Sequence, residues 1–123
     1  MYVEMEVLFI YPKATKGFDK MKNAICNISF KLKKGVSVPD FLLAAEKLNA
    51  EHVSKQKGYI SWQQLNDGDT WVDLLTFETM EDIKKFEESS ADPCEAAKLF
   101  YSFINMPSCK VRYYSVERSY SFL

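Results

Sequence analysis

Histidine is nearly missing from this chain, with one in 123 residues, and glycine and proline number only four each. There is no GxGxxG segment, so flavin and nicotinamide cofactors lack their usual glycine-rich turn. One histidine and three cysteines (Cys26, Cys94 and Cys109) without a CxxC pair give no donor set for a closed zinc site. The same odd, scattered cysteines exclude a disulfide framework and point to a reducing, cytoplasmic compartment. Each lies in an apolar neighbourhood and reads as a small buried hydrophobe. An excess of one charge is also lacking: 16 Lys and Arg face 17 Asp and Glu, for a formal net charge of -1. Nonspecific nucleic-acid binding needs clustered, uncompensated cations, so no nucleic-acid partner is expected. The short run Lys31-Leu32-Lys33-Lys34 reads as a solvated strand end. No apolar stretch is long enough to span a bilayer, and Met1 to Tyr11 carries Glu4 and Glu6 without a basic leader, so no membrane association is expected.

What is present is apolar and aromatic: 47% hydrophobic residues, with nine Phe, seven Tyr and two Trp. A chain of this length holds a single core. Residues 1–22 read as an appended arm. Val3, Met5, Val7, Phe9 and Tyr11 alternate with polar positions as in a strand, Pro12 stops it, and Lys13 to Lys22 forms a polar linker. Met21 is an alternative natural start. The domain proper is then 23–123.

Within it the order is strand, helix, strand, strand, helix, strand. Ala24, Cys26, Ile28, Phe30 and Leu32 share one face of a first strand. Ser37-Val38-Pro39-Asp40 caps and opens a helix that carries Phe41, Ala45, Leu48 and His52 on one stripe, and Gly58 closes it. Tyr59 to Leu65 and Thr70 to Phe77 are strands joined by the turn Asn66-Asp67-Gly68-Asp69. Thr79 to Asp82 caps a short helix with Ile83 and Phe86 inward. Asp92-Pro93-Cys94-Glu95 restarts a helix with a stripe of Ala97, Tyr101 and Ile104. Pro107 follows, and Lys110 to Tyr120 is the last strand. This order specifies a ferredoxin-like α+β sandwich: a four-stranded antiparallel sheet with both helices on one face. Trp71, Leu75 and Phe77 lie on one side of the third strand, and Val72 and Leu74 on the other. A sheet apolar on both faces needs a second cover, so a homodimer is expected.

The helix ending at Gly58 followed by Tyr59-Ile60-Ser61-Trp62 resembles the corresponding segment of antibiotic biosynthesis monooxygenase domains. The broken second helix, Met80 to Ser89 and then Asp92-Pro93 onward, is similar to that family's helix, proline loop and helix. The resemblance covers about Asn23 to Glu117. It implies a dimeric α+β barrel, with a small-molecule cavity between sheet and helices, and cofactor-independent monooxygenase chemistry on an aromatic or quinone-like compound. The chain departs from the family pattern at Leu75, where a glutamate is common, and at Phe86, where a histidine is common. Asn27 and Phe77 fall near the strand asparagine and the tryptophan of the haem-degrading members. No histidine lies between Pro93 and Asn105, which disfavours haem ligation of their kind. The alternative is a non-catalytic binding or stress-related module on the same barrel.

The candidate catalytic residues are Asp73, His52 and Asn27. His52 could shuttle protons near neutral pH, or merely cap the last carbonyls of its helix. Asp73 shares the Trp71, Leu75 and Phe77 face, where a buried carboxylate must be paired or protonated. It could serve as the acid/base in place of the missing glutamate, or pair with Arg112 or Lys110. Trp62, Trp71, Phe77 and Phe86 are the candidate substrate-binding residues. The two tryptophans could hold a planar ligand by stacking, or serve only as core or dimer interface. An RNA-recognition module shares the strand order, but Asp69-Thr70-Trp71-Val72-Asp73 lacks the basic residue and glycine of its third-strand motif.

Overall fold

The computed structural model describes residues 22–121, and the expected arm apart from Lys22, with its strand and Met21, lies outside them. Strand β1 (Ala24–Leu32) is followed by helix α1 (Val38–Glu51), a single 3-10 turn (Val53–Lys55), and the hairpin β2 (Tyr59–Asn66) and β3 (Trp71–Phe77). Helices α2 (Met80–Ser89) and α3 (Glu95–Ser102) and strand β4 (Ile104–Ser115) complete the unit. The four strands form one antiparallel sheet in the order β2-β3-β1-β4. This is the expected ferredoxin-like α+β arrangement, with the two βαβ halves interleaved.

Local chemistry explains most of the boundaries. The Ser37 hydroxyl accepts the Asp40 N–H at 3.2 Å, and Pro39 occupies the first turn of α1. The Thr79 hydroxyl accepts the Asp82 N–H at 3.0 Å at the start of α2. In the hairpin turn Asp67 accepts the N–H groups of Asp69 and Thr70 at 2.9 and 2.7 Å. Gly68 adopts φ +100°, a conformation the other residues of this turn would strain to reach.

Several boundaries differ from the sequence reading: α1 ends at Glu51, with the 3-10 turn before Gly58, and β4 ends at Ser115, short of Tyr120. The N-cap of α3 is Cys94, with no side-chain cap bond, so the helix begins three residues beyond Asp92. Strand β4 begins at Ile104, six residues earlier than expected, and runs through Pro107. A proline is tolerated there because β4 is an edge strand and because the ladder bulges at this point. Between the pairs Ser29↔Lys110 and Lys31↔Asn105, β1 advances two residues while β4 advances five. Ser108 bridges the gap, its hydroxyl accepting the Lys31 N–H at 2.8 Å.

The core lies between the sheet and the helices. Ala24, Cys26 and Phe30 of β1 and Leu75 and Phe77 of β3 pack against Phe41, Ala45 and Leu48 of α1, Ile83 of α2, and Ala97 and Phe100 of α3. On the opposite face Val72 and Leu74 are only half-buried, together with Ile25 and Thr76.

Candidate active site

The register of the hairpin decides which polar side chains meet. Asp73 is opposite Gln64 on β2 and Ile28 on β1, and Trp62 is opposite Leu75. Residues opposed in an antiparallel pair share a face, so Trp62, Gln64 and Asp73 all turn toward the helices. Asp73 is only 3% exposed. Its Oδ1 accepts a hydrogen bond from Gln64 Nε2 at 3.2 Å. Burial is the main influence on its ionisation and pushes the carboxyl up to about 6, while the Trp62 indole and Gln64 amide partly offset this. No cation enters that balance: Arg112 is opposite Asn27 on the other face of the sheet.

The Trp62 N–H is a buried donor without a hydrogen-bond partner among the described residues. It comes close enough to Asp73 to favour the ionised carboxylate, yet outside true hydrogen-bond geometry. A buried N–H left without a full bond costs about 1–3 kcal/mol, so its retention calls for a physical reason.

Aromatic rings wall this pair. Trp62 meets Phe100 edge-on at 5.6 Å, Phe100 stacks on Phe41 at 5.2 Å, and Phe41 meets Trp71 edge-on at 5.1 Å. The two tryptophans are thus joined through two phenylalanines. Tyr101 on α3 and Cys109 on β4 lie nearby, both half-buried and both within electrostatic reach of Asp73. Ile28, Trp62, Trp71, Tyr101 and Cys109 are partly buried and pack against the core, so Asp73 lies near its margin. Burial raises both the Tyr101 phenol and the Cys109 thiol above their ordinary values.

The candidate residues do not all converge. His52 terminates α1, its backbone N–H donating to Leu48 O at 3.0 Å, and its Nδ1 is 3.4 Å from Gln56 Nε2. The imidazole lies against Phe86 at 6.1 Å, Phe86 lies on Phe77 at 5.3 Å, and Tyr59 meets Phe77 edge-on at 6.2 Å. Phe77 is four residues from Asp73 along β3, or about 13 Å at the usual strand rise. His52, Phe77 and Phe86 therefore form a second ring cluster at the other end of the sheet. Asn27 is opposite Leu74, on the face away from the helices, and reaches neither cluster.

Gln64, Tyr101 and Cys109 are the neighbours that sequence reasoning missed. Counting the hairpin register back from the turn would have found Gln64. The β4 bulge concealed Cys109, since the strand was expected to begin beyond it. A separate groove of about 350 Å³, lined by Asp40, Leu43, Ala44, Lys47, Leu99 and Phe103, runs between α1 and α3 and does not include Asp73. Among the described residues no group of three or more His, Cys, Asp or Glu side chains is placed to hold a metal ion. No helix among them is long and apolar enough to cross a membrane.

No protein-family model matches the chain, and no curated protein sequence does. Solved structures do. SnoaB, a cofactor-independent oxygenase from Streptomyces nogalater, superimposes with a TM-score of 0.63 at 8% identity, covering 80% of this chain and 96% of SnoaB. A Bacillus cereus protein provisionally assigned as an antibiotic biosynthesis monooxygenase gives a TM-score of 0.57 at 19% identity, covering 83% of this chain and 98% of its own. A dimeric protein of unknown function from Bacteroides fragilis, with a ferredoxin-like fold, gives 0.52 at 19% identity over 76% of this chain and 95% of its own. At these identities the likeness establishes architecture alone: the chain shares the fold of these proteins, several of them provisionally assigned as antibiotic biosynthesis monooxygenases.

Proposed function

We propose that this protein is a cofactor-independent monooxygenase of the antibiotic biosynthesis type that takes a small aromatic or quinone-like molecule beneath the Trp62, Trp71 and Tyr101 rim. The observation that carries the reading is Asp73, a buried carboxyl whose main bonded neighbour is a neutral amide and whose proton is held up to about 6. Such a group changes protonation near the pH at which a general base is most useful. Oxygenation without a cofactor needs an acidic C–H or O–H flanked by a system that can delocalise the resulting anion. It also needs a base and a site poor in water. In this reading Asp73 takes the proton, the Trp62 N–H steadies the developing oxyanion, and the ring wall excludes water. Where a ring CH2 becomes a carbonyl, one oxygen atom of O2 is retained and the other leaves as water with the two hydrogens removed. No external reductant is then required. His52, Phe77 and Phe86 would belong to the far end of the cavity, and Asn27 to the opposite face.

The same reading includes a homodimer formed across the Val72 and Leu74 face, and an arm, residues 1–22, separate from the domain at 23–123. A non-catalytic binding module is the second reading, favoured by one observation: Asn27, His52 and Asp73 do not meet. Oxygen uptake with a panel of hydroquinones and naphthols, run beside ligand-induced thermal shifts, separates the two. Uptake that depends on Asp73 supports the oxygenase. Shifts without uptake support the binding module, and neither uptake nor shifts refutes both.

A further inference from the structure

The Trp62 N–H and the Asp73 carboxyl lie side by side on one sheet face, and their hydrogen-bonding capacities change differently. Trp62 is a donor at every pH. Asp73 offers an O–H donor beside an acceptor oxygen when neutral, and only acceptors when ionised. Gln64 occupies Oδ1 with its amide N–H. The indole N–H leans on Asp73 without completing a hydrogen bond, so an incoming acceptor oxygen would satisfy it, which makes the pair complementary to oxygen ligands of two different kinds.

We propose that the Trp62–Asp73 pair selects the oxidation state of its ligand. With Asp73 neutral the site presents two donors and favours a quinone carbonyl. With Asp73 ionised it presents a donor beside an acceptor and favours a hydroquinone hydroxyl, which donates to the carboxylate while its oxygen accepts from Trp62. This rests on the reading of the rimmed site as the ligand cavity.

The groups facing Asp73 come from each surrounding layer: Cys26 on β1, Trp62 and Gln64 on β2, Tyr101 on α3 and Cys109 on β4. Helix α1 contributes the apolar Phe41 at Trp71, and Glu87 of α2 acts on Cys26 and Tyr113. Burial pushes the Cys26 thiol up to about 12, and raises Tyr101 and Cys109 as well. All three are therefore neutral through the range in which Asp73 titrates, so Asp73 is the member of this group that changes there. His52, at the Phe86 end, belongs to the other cluster.

The test uses the full chain and anaerobic calorimetric titration with duroquinone and durohydroquinone. Their ring carbons are fully methylated, which suppresses thiol addition at Cys94 or Cys109. From about pH 5 to about pH 7.5, duroquinone should weaken by about tenfold, since the Asp73 O–H donor is exchanged for a repulsive carboxylate. Durohydroquinone, which accepts from the neutral acid and donates to the carboxylate, should tighten by about threefold as a neutral bond becomes a charge-assisted one. Asp73→Asn should flatten both trends. Trp62→Phe should weaken both ligands about fivefold and keep the direction of both trends, displaced to higher pH because the indole no longer favours the carboxylate. Because the two wild-type trends alone decide the matter, the test survives a variant that fails to fold. Parallel trends for the two ligands, or trends that persist in Asp73→Asn, would overturn the proposal while leaving a binding site. Absence of binding by either ligand at both pH values would overturn the cavity reading as well.

Discussion

Replacing Asp73 by asparagine should stabilise the protein at neutral pH and destabilise it near pH 4. The carboxyl is raised from an ordinary 3.8 to about 6 by burial. A folded-state value above the unfolded one means that the folded protein binds more protons between the two. Stability therefore falls as pH rises from about 4 to about 6, and the loss is complete above that window. This is the reverse of the usual carboxylate, whose contribution is lost on acidification. A displacement of about two pH units corresponds to about 3 kcal/mol at neutral pH. Asparagine keeps an oxygen to accept the Gln64 amide, but it buries an NH2 group whose incomplete bonding costs about 1 kcal/mol. The variant should thus be about 2 kcal/mol more stable than wild type near pH 7.5, and about 1 kcal/mol less stable near pH 4. Urea unfolding of both proteins at several pH values between these limits measures the difference. A difference that stays constant across the range would refute the reasoning, because it would mean that Asp73 ionises as freely in the folded protein as in the unfolded chain.

The other predictions concern the frame around the site. Gly58 has φ +80°, and a Cβ there would meet Asp82 Oδ2 at 2.1 Å and Cβ at 2.8 Å. Gly58→Ala should cost about 2–4 kcal/mol from the left-handed backbone and the forced shift of a buried side chain, read as a fall in Tm of roughly 10 °C or more. If the proposed homodimer forms across this face, wild type should scatter as two 14.3 kDa chains and Leu74→Asp as one, because an unpaired charge in an apolar interface costs several kcal/mol. A wild-type mass of one chain would refute the dimer, and an unchanged doubled mass in the variant would place it on another face. Iodoacetamide should label the exposed Cys94 first and leave Cys26 untouched in the native state, since Cys26 is 1% exposed and its thiol is held up to about 12. Mass spectrometry of the digested protein would contradict this if Cys26 were labelled at the Cys94 rate.

Much of the fold could be read from local chemistry. The caps at Ser37 and Thr79, the Asp67-Gly68 turn and the alternation in β1 and β3 each depend on residues a few positions apart, and each is found where expected. The alternation also put Asp73 on the buried face. What escaped depends on pairing between distant strands. Pro107 signalled a stop because a proline cannot donate to a ladder, yet β4 is an edge strand with a wide bulge, and neither property is visible from Met106-Pro107-Ser108 alone. The grouping of site residues failed for the same reason. Spacing along single elements cannot tell that the Phe77 end of β3 receives His52 and Phe86 while the Trp71 end receives Phe41. Asn27 illustrates the parity of a strand. One position from Cys26 or Ile28, it is carried to the opposite face and opposes Leu74 and Arg112.

The most direct test of the account is the indole resonance of Trp62 in a ¹⁵N-labelled protein, assigned by its loss in Trp62→Phe and followed during titration with duroquinone. An orphaned N–H that gains an acceptor oxygen should move downfield in a saturable way, well beyond any change at the Trp71 indole. A Trp62 resonance that stays in place at saturating ligand would contradict the claim that this buried donor and Asp73 form the binding site.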